Sequence, residues 1–253
     1  MTALLFGQMS DPNIAALRSH FDLFVDQSQN LHWDITTDTL TVDGHEINFN
    51  ASFGRANVFA ENNWTMYANA YLISNYVRAH PNIKQYNPNY EQETPYKLKN
   101  LVLAKQCGLH VPDTEAGIET GRPDTIIKPI TGGAHAAHGS RADYPVILQQ
   151  RIDGLNKRLF VIGDDIFVFG LASTHLDYRD DPNPSLFVSE IDHAIVPQVR
   201  KLMGKINLTF GAADFIDDGN KTWFLEINSS PMFAAFNNVV AGKLAESLRA
   251  NLK

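Results

Sequence analysis

The sequence predicts an α/β fold. Three observations carry that prediction: a strand-helix-strand pattern at the N-terminus, short apolar strands from residue 125 onward, and 44% hydrophobic against 19% charged residues in a chain of 253. Such a composition supplies enough apolar surface for a sizeable core and excludes disorder as the main state. No apolar run approaches the ~18 residues of a membrane helix, so no membrane partner is expected. Residues 1–6 lack a charged n-region and a small-residue cleavage site, which makes the cytoplasm the expected address. The chain carries 21 basic and 28 acidic side chains, the basic ones scattered, so nucleic acid is not an expected partner.

The elements follow in order. Ala3-Leu4-Leu5-Phe6 reads as a strand, and Ser10-Asp11-Pro12 supplies an N-cap and first-turn proline for a helix with Ile14, Leu17 and Phe21 on one face. Phe21 to Val25 reads as the strand that completes a β-α-β unit. Asp43-Gly44, flanked by alternating residues, marks a hairpin. Trp64 to Ala79 has the length of a helix that stops before Pro81, and the Asn/Pro-rich stretch 85–95 reads as a linker. Lys97 to Cys107 is helical with Gly108 as its C-cap, and Cys107 sits in the pattern as a buried, inert thiol. Strands are expected at Thr125–Pro129, Val146–Gln149, Arg158–Ile162 and Ile166–Phe169, then a helix with Ile195, Val199 and Leu202. Val239 to Leu252 reads as a closing amphipathic helix. The expected domains are 1–95, 96–152 and 153–253.

The chemistry concentrates near the end. Gly211-Ala212-Ala213-Asp214-Phe215-Ile216 and Trp223-Phe224-Leu225-Glu226-Ile227-Asn228 are two apolar strands, each holding a carboxylate where an apolar residue would cost less. On a strand Glu226 and Asn228 share a face, and alternation sends Leu225 and Ile227 into the opposite core. Asp214 joins them only if the loop pairs even with even residues, and an odd loop is the expectation taken here. Three oxygen donors on one face suit a hard divalent cation that keeps waters and shares substrate phosphates. Lys128 lies inside an apolar strand beside Pro129, where an ammonium needs an anionic partner. His135 and His138 have metal-like spacing in the small-residue loop 131–140, but without further ligands they do not make a zinc site, and the backbone of that loop could approach a phosphate closely.

The run Leu225-Glu226-Ile227-Asn228-Ser229-Ser230-Pro231, preceded by Gly211-Ala212-Ala213-Asp214, resembles the C-terminal metal motif of the ATP-grasp ligases, which include glutathione synthetase and the bacterial glutamate ligases. Other segments are similar in the same order: Asn87-Pro88 before Lys97, Gly108 with Val111-Pro112-Asp113-Thr114, Ile126-Ile127-Lys128-Pro129, Val146 to Ile152, and Arg158 to Asp164. Asn87-Pro88 and Leu176-Asp177-Tyr178-Arg179 look most like the members that form ester and amide crosslinks in ribosomal peptides. The link from Pro129 to the Val146 strand is short for the added leader-binding segment of those enzymes.

The resemblance implies two α+β lobes gripping a nucleotide, preceded by a small open α/β domain. It implies an ATP- and magnesium-dependent carboxylate-amine ligase that works through an acyl phosphate, with a ribosomal-peptide macrocyclase or a nucleotide-binding module without turnover as alternatives. Lys97 and Lys128 would contact ATP phosphates; Gln149, Gln150, Arg151 and Ile152 would meet adenine; and Asn156 would face the ribose hydroxyls. Asp214, Glu226 and Asn228 would hold one or two magnesium ions, and Arg179 and Arg158 would steady the transferring phosphate. The implied substrate is an amino acid or a peptide, and a homodimer fits an acidic ligase of this size.

Overall fold

A computed structural model describes residues 1–55, 63–87, 96–130, 136–176 and 180–252. The chain divides into two compact units, Met1–Pro88 with Met232–Lys253, and Asn89–Pro231.

In the first unit β1 (Ala3–Gly7) is apolar and buried throughout, as a central parallel strand must be. Asp11 caps α1 (Pro12–Leu17) by accepting from the Asn13 N–H at 2.8 Å, and the proline opens the helix. The chain returns as β2 (Leu23–Asp26), parallel to β1, which completes the expected β-α-β unit. A small antiparallel sheet follows, of β3 (Leu31–Asp34), β4 (Thr39–Val42) and β5 (His45–Glu46). Asp43 and Gly44 both adopt positive φ, 50° and 81°, as the anticipated two-residue hairpin requires. After β6 (Ala51–Arg55), α2 (Trp64–Ala79) buries Met66, Ala70, Ile73, Tyr76 and Val77, and β7 (Lys84–Gln85) completes the parallel order β2-β1-β6-β7.

The second unit opens with α3 (Lys97–Gln106), closed by Cys107 and by Gly108 at φ 95°. Cys107 is buried, as expected. β8 (Thr114–Glu119), β9 (Thr125–Lys128), β10 (Ala137–His138) and β11 (Arg141–Gln150) form an antiparallel sheet in the order β10-β9-β11-β8. A second antiparallel sheet contains β12 (Leu155–Ile162), β13 (Asp165–Ala172), β14 (Ser185–Val188), β15 (Phe210–Asp217) and β16 (Thr222–Asn228), in the order β14-β13-β12-β15-β16. One face of this sheet, through Leu159, Val161, Ala213, Phe215, Phe224 and Ile227, shares a core with α3 and with α4 (Ile195–Lys205). The other face carries Arg158 and Asp214 beside buried apolar residues, among them Phe160, Ile162, Phe169 and Ala212.

The end of the chain differs from the sequence reading. Instead of one helix from Val239 there are two, α5 (Ala234–Val239) and α6 (Lys243–Ala250), separated where Ala241 and Gly242 take left-handed φ of 51° and 92°. The first has no capping side chain of its own. Asn13 supplies the cap from α1, its Oδ1 accepting from the N–H groups of Phe233 at 2.7 Å and Ala234 at 2.9 Å. This explains why 232–253, drawn by sequence with the lobe that starts at 153, packs with the first unit. The expected linker beyond Asn87, the boundary near residue 95, His135 with the first part of its loop, and Arg179 lie outside the described residues.

Candidate active site

The site is built on β15 and β16. Their connection is a four-residue loop, since Asp217 pairs with Thr222, so the expected odd loop is wrong. An even loop alone would set Asp214 against an odd-numbered residue and send it to the opposite face from Glu226. A β-bulge at Leu225 restores the parity: Phe215 pairs with Phe224, but Asp214 pairs with Glu226 and Ala212 with Asn228. The bulge also corrects the expected core assignment. Phe224, not Leu225, joins Ile227 in the core, and Phe224 is fully buried whereas Leu225 is only half-buried.

Asp214, Glu226 and Asn228 therefore lie together on the face opposite the α3 and α4 core. The Asn228 amide donates to Asp214 Oδ2 at 3.1 Å and to Glu226 Oε1 at 3.4 Å. β12 contributes Arg158, which stands opposite Asp214 across the ladder. Its guanidinium forks the carboxylate, Nε to Oδ1 at 2.6 Å and Nη2 to Oδ2 at 2.8 Å, with side-chain exposures of 8% and 17%. This bidentate geometry fixes the plane of the Asp214 carboxylate. Lys97 Nζ lies 3.5 Å from Glu226 Oε2. A lysine on the first residue of a helix faces the positive end of the helix dipole, a placement that costs about 0.3–1 kcal/mol unless an anion answers it; Glu226 is that anion here.

Lys128 arrives from the other sheet. Its ammonium donates to Gln149 Oε1 at 2.8 Å, the Gln149 amide donates to Thr114 Oγ1 at 2.9 Å, and the Thr114 hydroxyl donates to the Pro112 carbonyl at 2.7 Å. Three neighbouring strands, β9, β11 and β8, thus hold the lysine through one polarised chain of hydrogen bonds. Thr114 was not among the predicted site residues, although it ends the Val111-Pro112-Asp113-Thr114 motif that could have flagged it. The remaining predicted residues stand apart from this network. Gln150 and Arg151 are exposed, Arg151 pairing with Asp153 at 2.6 Å; Ile152 is half-buried; and Asn156 shares the β12 face of Arg158.

The two carboxyls are shifted in opposite directions. Burial pushes the Asp214 carboxyl above the ordinary range, against the pull of Arg158 and with a further push from Glu226. Burial acts upward on Glu226 too, but Lys97, then Lys128, the Asn228 hydrogen bond and Arg158 outweigh it and hold Glu226 below the ordinary range. Among the described residues no group of three or more His, Cys, Asp and Glu converges. The donor set is instead two carboxylates and an amide, which fits a hard cation that completes its shell with water and phosphate oxygens and does not fit zinc.

No protein-family profile matches the chain, and no curated protein matches it by sequence. Solved structures do match over the full length. The ATP-grasp ligase PsnB, complexed with a minimal precursor, aligns at a TM-score of 0.76 and 20% identity, covering 100% of this chain and 99% of that one. The macrocyclase MdnC from Microcystis aeruginosa MRC, bound with precursor peptide MdnA, aligns at 0.72 and 16% identity over 99% of both chains. The VanG D-Ala:D-Ser ligase from Enterococcus faecalis aligns at 0.62 and 13% identity, covering 99% and 98%. The chain has the fold of the ATP-grasp ligases, as its motifs led one to expect.

Proposed function

We propose that this protein is an ATP- and magnesium-dependent ligase that activates a carboxylate as an acyl phosphate and joins it to a nucleophile. The observation that carries this reading is the convergence of Asp214, Glu226 and Asn228 with Arg158 and Lys97, while Lys128 acts on both carboxylates from the other sheet. Phosphoryl transfer asks a protein mainly for placement and for positive charge around the phosphate oxygens, and this constellation supplies both.

Asp214, Glu226 and the Asn228 amide oxygen would hold magnesium, which supplies charge neutralisation at the phosphates. For Asn228 this means turning its amide, which now donates to both carboxylates. Lys128 and Lys97 bind the phosphates. Lys128 does so from a position set by Gln149 and Thr114, so we assign Gln149 a positioning role and leave the adenine edge to Gln150, Arg151 and Ile152. Arg158 holds the Asp214 carboxylate in place, and Arg179 takes the transferring phosphate. The carboxylate lacks a good leaving group until it is phosphorylated, after which an amine or hydroxyl displaces phosphate and releases a proton.

The substrate we favour is a peptide, with amide or ester crosslinks as the product. PsnB and MdnC are complexed with precursor peptides, and this chain spans 99% of each, which supports a peptide substrate. A simple carboxylate-amine ligase acting on an amino acid is the second reading, favoured by the alignment with VanG. Among the described residues no helix is long and apolar enough to cross a membrane. An ATP-consuming ligase would draw its nucleotide from the cytoplasm, and a homodimer fits an acidic chain of this size. The test is a release assay for ADP and phosphate over a panel of amino acids and acidic peptides, with products read by mass spectrometry. Acceptor-stimulated release with loss of one water per bond supports the ligase; nucleotide binding with no stimulated release across the panel leaves only a binding module.

A further inference from the structure

The chain is acidic overall, yet its two outer helices in the second unit are not. α3 carries Lys97, Lys99 and Lys105, α4 carries Arg200, Lys201 and Lys205, and neither contains an acid. The fold gathers what looks scattered in the sequence: Leu101, Ala104 and Cys107 of α3 meet Val199, Leu202 and Met203 of α4 in one core, so the helices lie side by side. Their outward surfaces expose Lys99, Lys105, Lys201 and Lys205. None of the four ammonium groups has an acidic partner among the described residues, and Lys99 rests over the Tyr96 ring at 4.9 Å. Asp192, ahead of α4, has its carboxylate engaged by the Ala194 N–H, and Glu226 lies beside Lys97 at the N-terminal end of α3. Val102, 58% exposed, stands between Lys99 and Lys105, and nothing lies within 4 Å of where a side chain on Gly204 would begin.

We infer that this outward face of α3 and α4 is a docking surface for an acidic polypeptide segment. Unpaired ammonium groups in two adjacent rows attract an anionic chain. Val102 offers an apolar contact between the lysines, which suits a peptide with spaced apolar side chains. A nucleic acid fits less well. The exposed charges are all lysines without a guanidinium fork, and the net charge of −7 opposes a dense polyanion. The surface lies on the opposite side of the five-stranded sheet from Asp214 and Glu226, so it would hold a partner without touching the reacting groups. The inference does not depend on the ligase reading.

The experiment is fluorescence anisotropy on the full chain with a fluorescein-labelled peptide of Glu-Leu-Glu-Glu repeats at low salt. Wild type binds it, binding fades as salt rises, and the fourfold variant K99E/K105E/K201E/K205E binds at least about tenfold more weakly, as the loss of several exposed pairs implies. A milder variant with all four changed to Gln keeps helix propensity and weakens binding as well, with circular dichroism unchanged. ATP affinity stays at the wild-type value in both, which separates this surface from the candidate active site. No binding by wild type, equal binding by the charge-reversed variant, or tighter binding of a single-stranded DNA oligonucleotide than of the peptide would each overturn the inference.

Discussion

Arg158→Met is the sharpest test of how the candidate site is held together. The substitution keeps the length of the side chain and removes both hydrogen bonds to Asp214, at 2.6 and 2.8 Å. It leaves a buried carboxylate beside Glu226, already pushed upward by burial. The variant has two options at neutral pH: bury the charge unpaired, or take up a proton. Protonation caps the cost, because neutralising a carboxyl of ordinary pKa about 3.9 near pH 7 takes about 4 kcal/mol, at about 1.4 kcal/mol per pH unit. The same cap falls to about 1.5 kcal/mol near pH 5. Lys128 still acts on Asp214, so the measured loss falls at or below those figures. The sign follows from linkage: the folded variant holds a proton that the unfolded chain releases, so its stability relative to wild type declines as pH rises from about 4 toward neutrality. Urea unfolding across that range gives the numbers, and the double variant R158M/D214N should recover most of the loss with a flat profile. A loss below about 1 kcal/mol near pH 7, or one independent of pH, would show that Asp214 does not rely on Arg158. The guanidinium would then be available for the phosphate role that family resemblance implies.

Three further outcomes are expected. Glu226→Gln and Lys128→Ala should each lower nucleotide-dependent ADP release about 100-fold or more while the melting temperature stays near wild type; unchanged release in either contradicts the site assignment. Phe224→Ala should cost about 3–5 kcal/mol in urea unfolding, and Leu225→Ala well below the roughly 2–5 kcal/mol of a buried leucine; the reverse order would mean that the bulge is absent. His80 donates through Nδ1 to the Tyr76 carbonyl at 2.7 Å and pairs through Nε2 with Asp38 at 2.8 Å, so both ring nitrogens carry protons and the imidazolium is favoured above its ordinary pKa. That stabilisation is complete below about pH 6.5 and disappears as pH rises through the folded-state value. The gap in melting temperature between wild type and Asp38→Asn should therefore narrow from pH 5.5 to 8.5, and a constant gap refutes it.

What could be read from sequence was local. The β-α-β opening, the Asp43-Gly44 hairpin and the helix Trp64–Ala79 each carry their own start or stop chemistry within a few residues. The carboxylate set was legible for a different reason, since charge in an apolar strand has no cheap structural explanation. How it is assembled was not legible. The β15–β16 loop has an even length and the bulge at Leu225 adds one residue, so the expected placing of Asp214 on the face of Glu226 and Asn228 emerged from two deviations that cancel. No composition signal marks a bulge at a leucine. Nor could local pattern show that Arg158 meets Asp214 across 56 positions of chain, or that Gln149 would turn to Lys128 and Thr114. The break at Ala241-Gly242 was overlooked because an amphipathic stripe continues through it.

The charges of the candidate site suggest why these groups are arranged as exchangeable pairs. Lys97, Lys128 and Arg158 carry three positive charges against two on Asp214 and Glu226, and Lys97 sits at 3.5 Å from Glu226, a distance at which the pair is easily parted. A bare divalent cation entering this cluster meets a net positive surrounding and must compete with Lys97 and Asn228 for the same oxygens. Phosphates reverse that balance. On the ligase reading nucleotide phosphates would draw the lysines away from the carboxylates, leaving those oxygens to hold the cation. On the ligase reading, Arg158 is the member that need not let go: its fork keeps Asp214 oriented while the other pairs change partners. The bulge at Leu225 serves the same end, since it lets Phe224 anchor β16 in the core while Glu226, two residues on, remains on the opposite face beside Asp214.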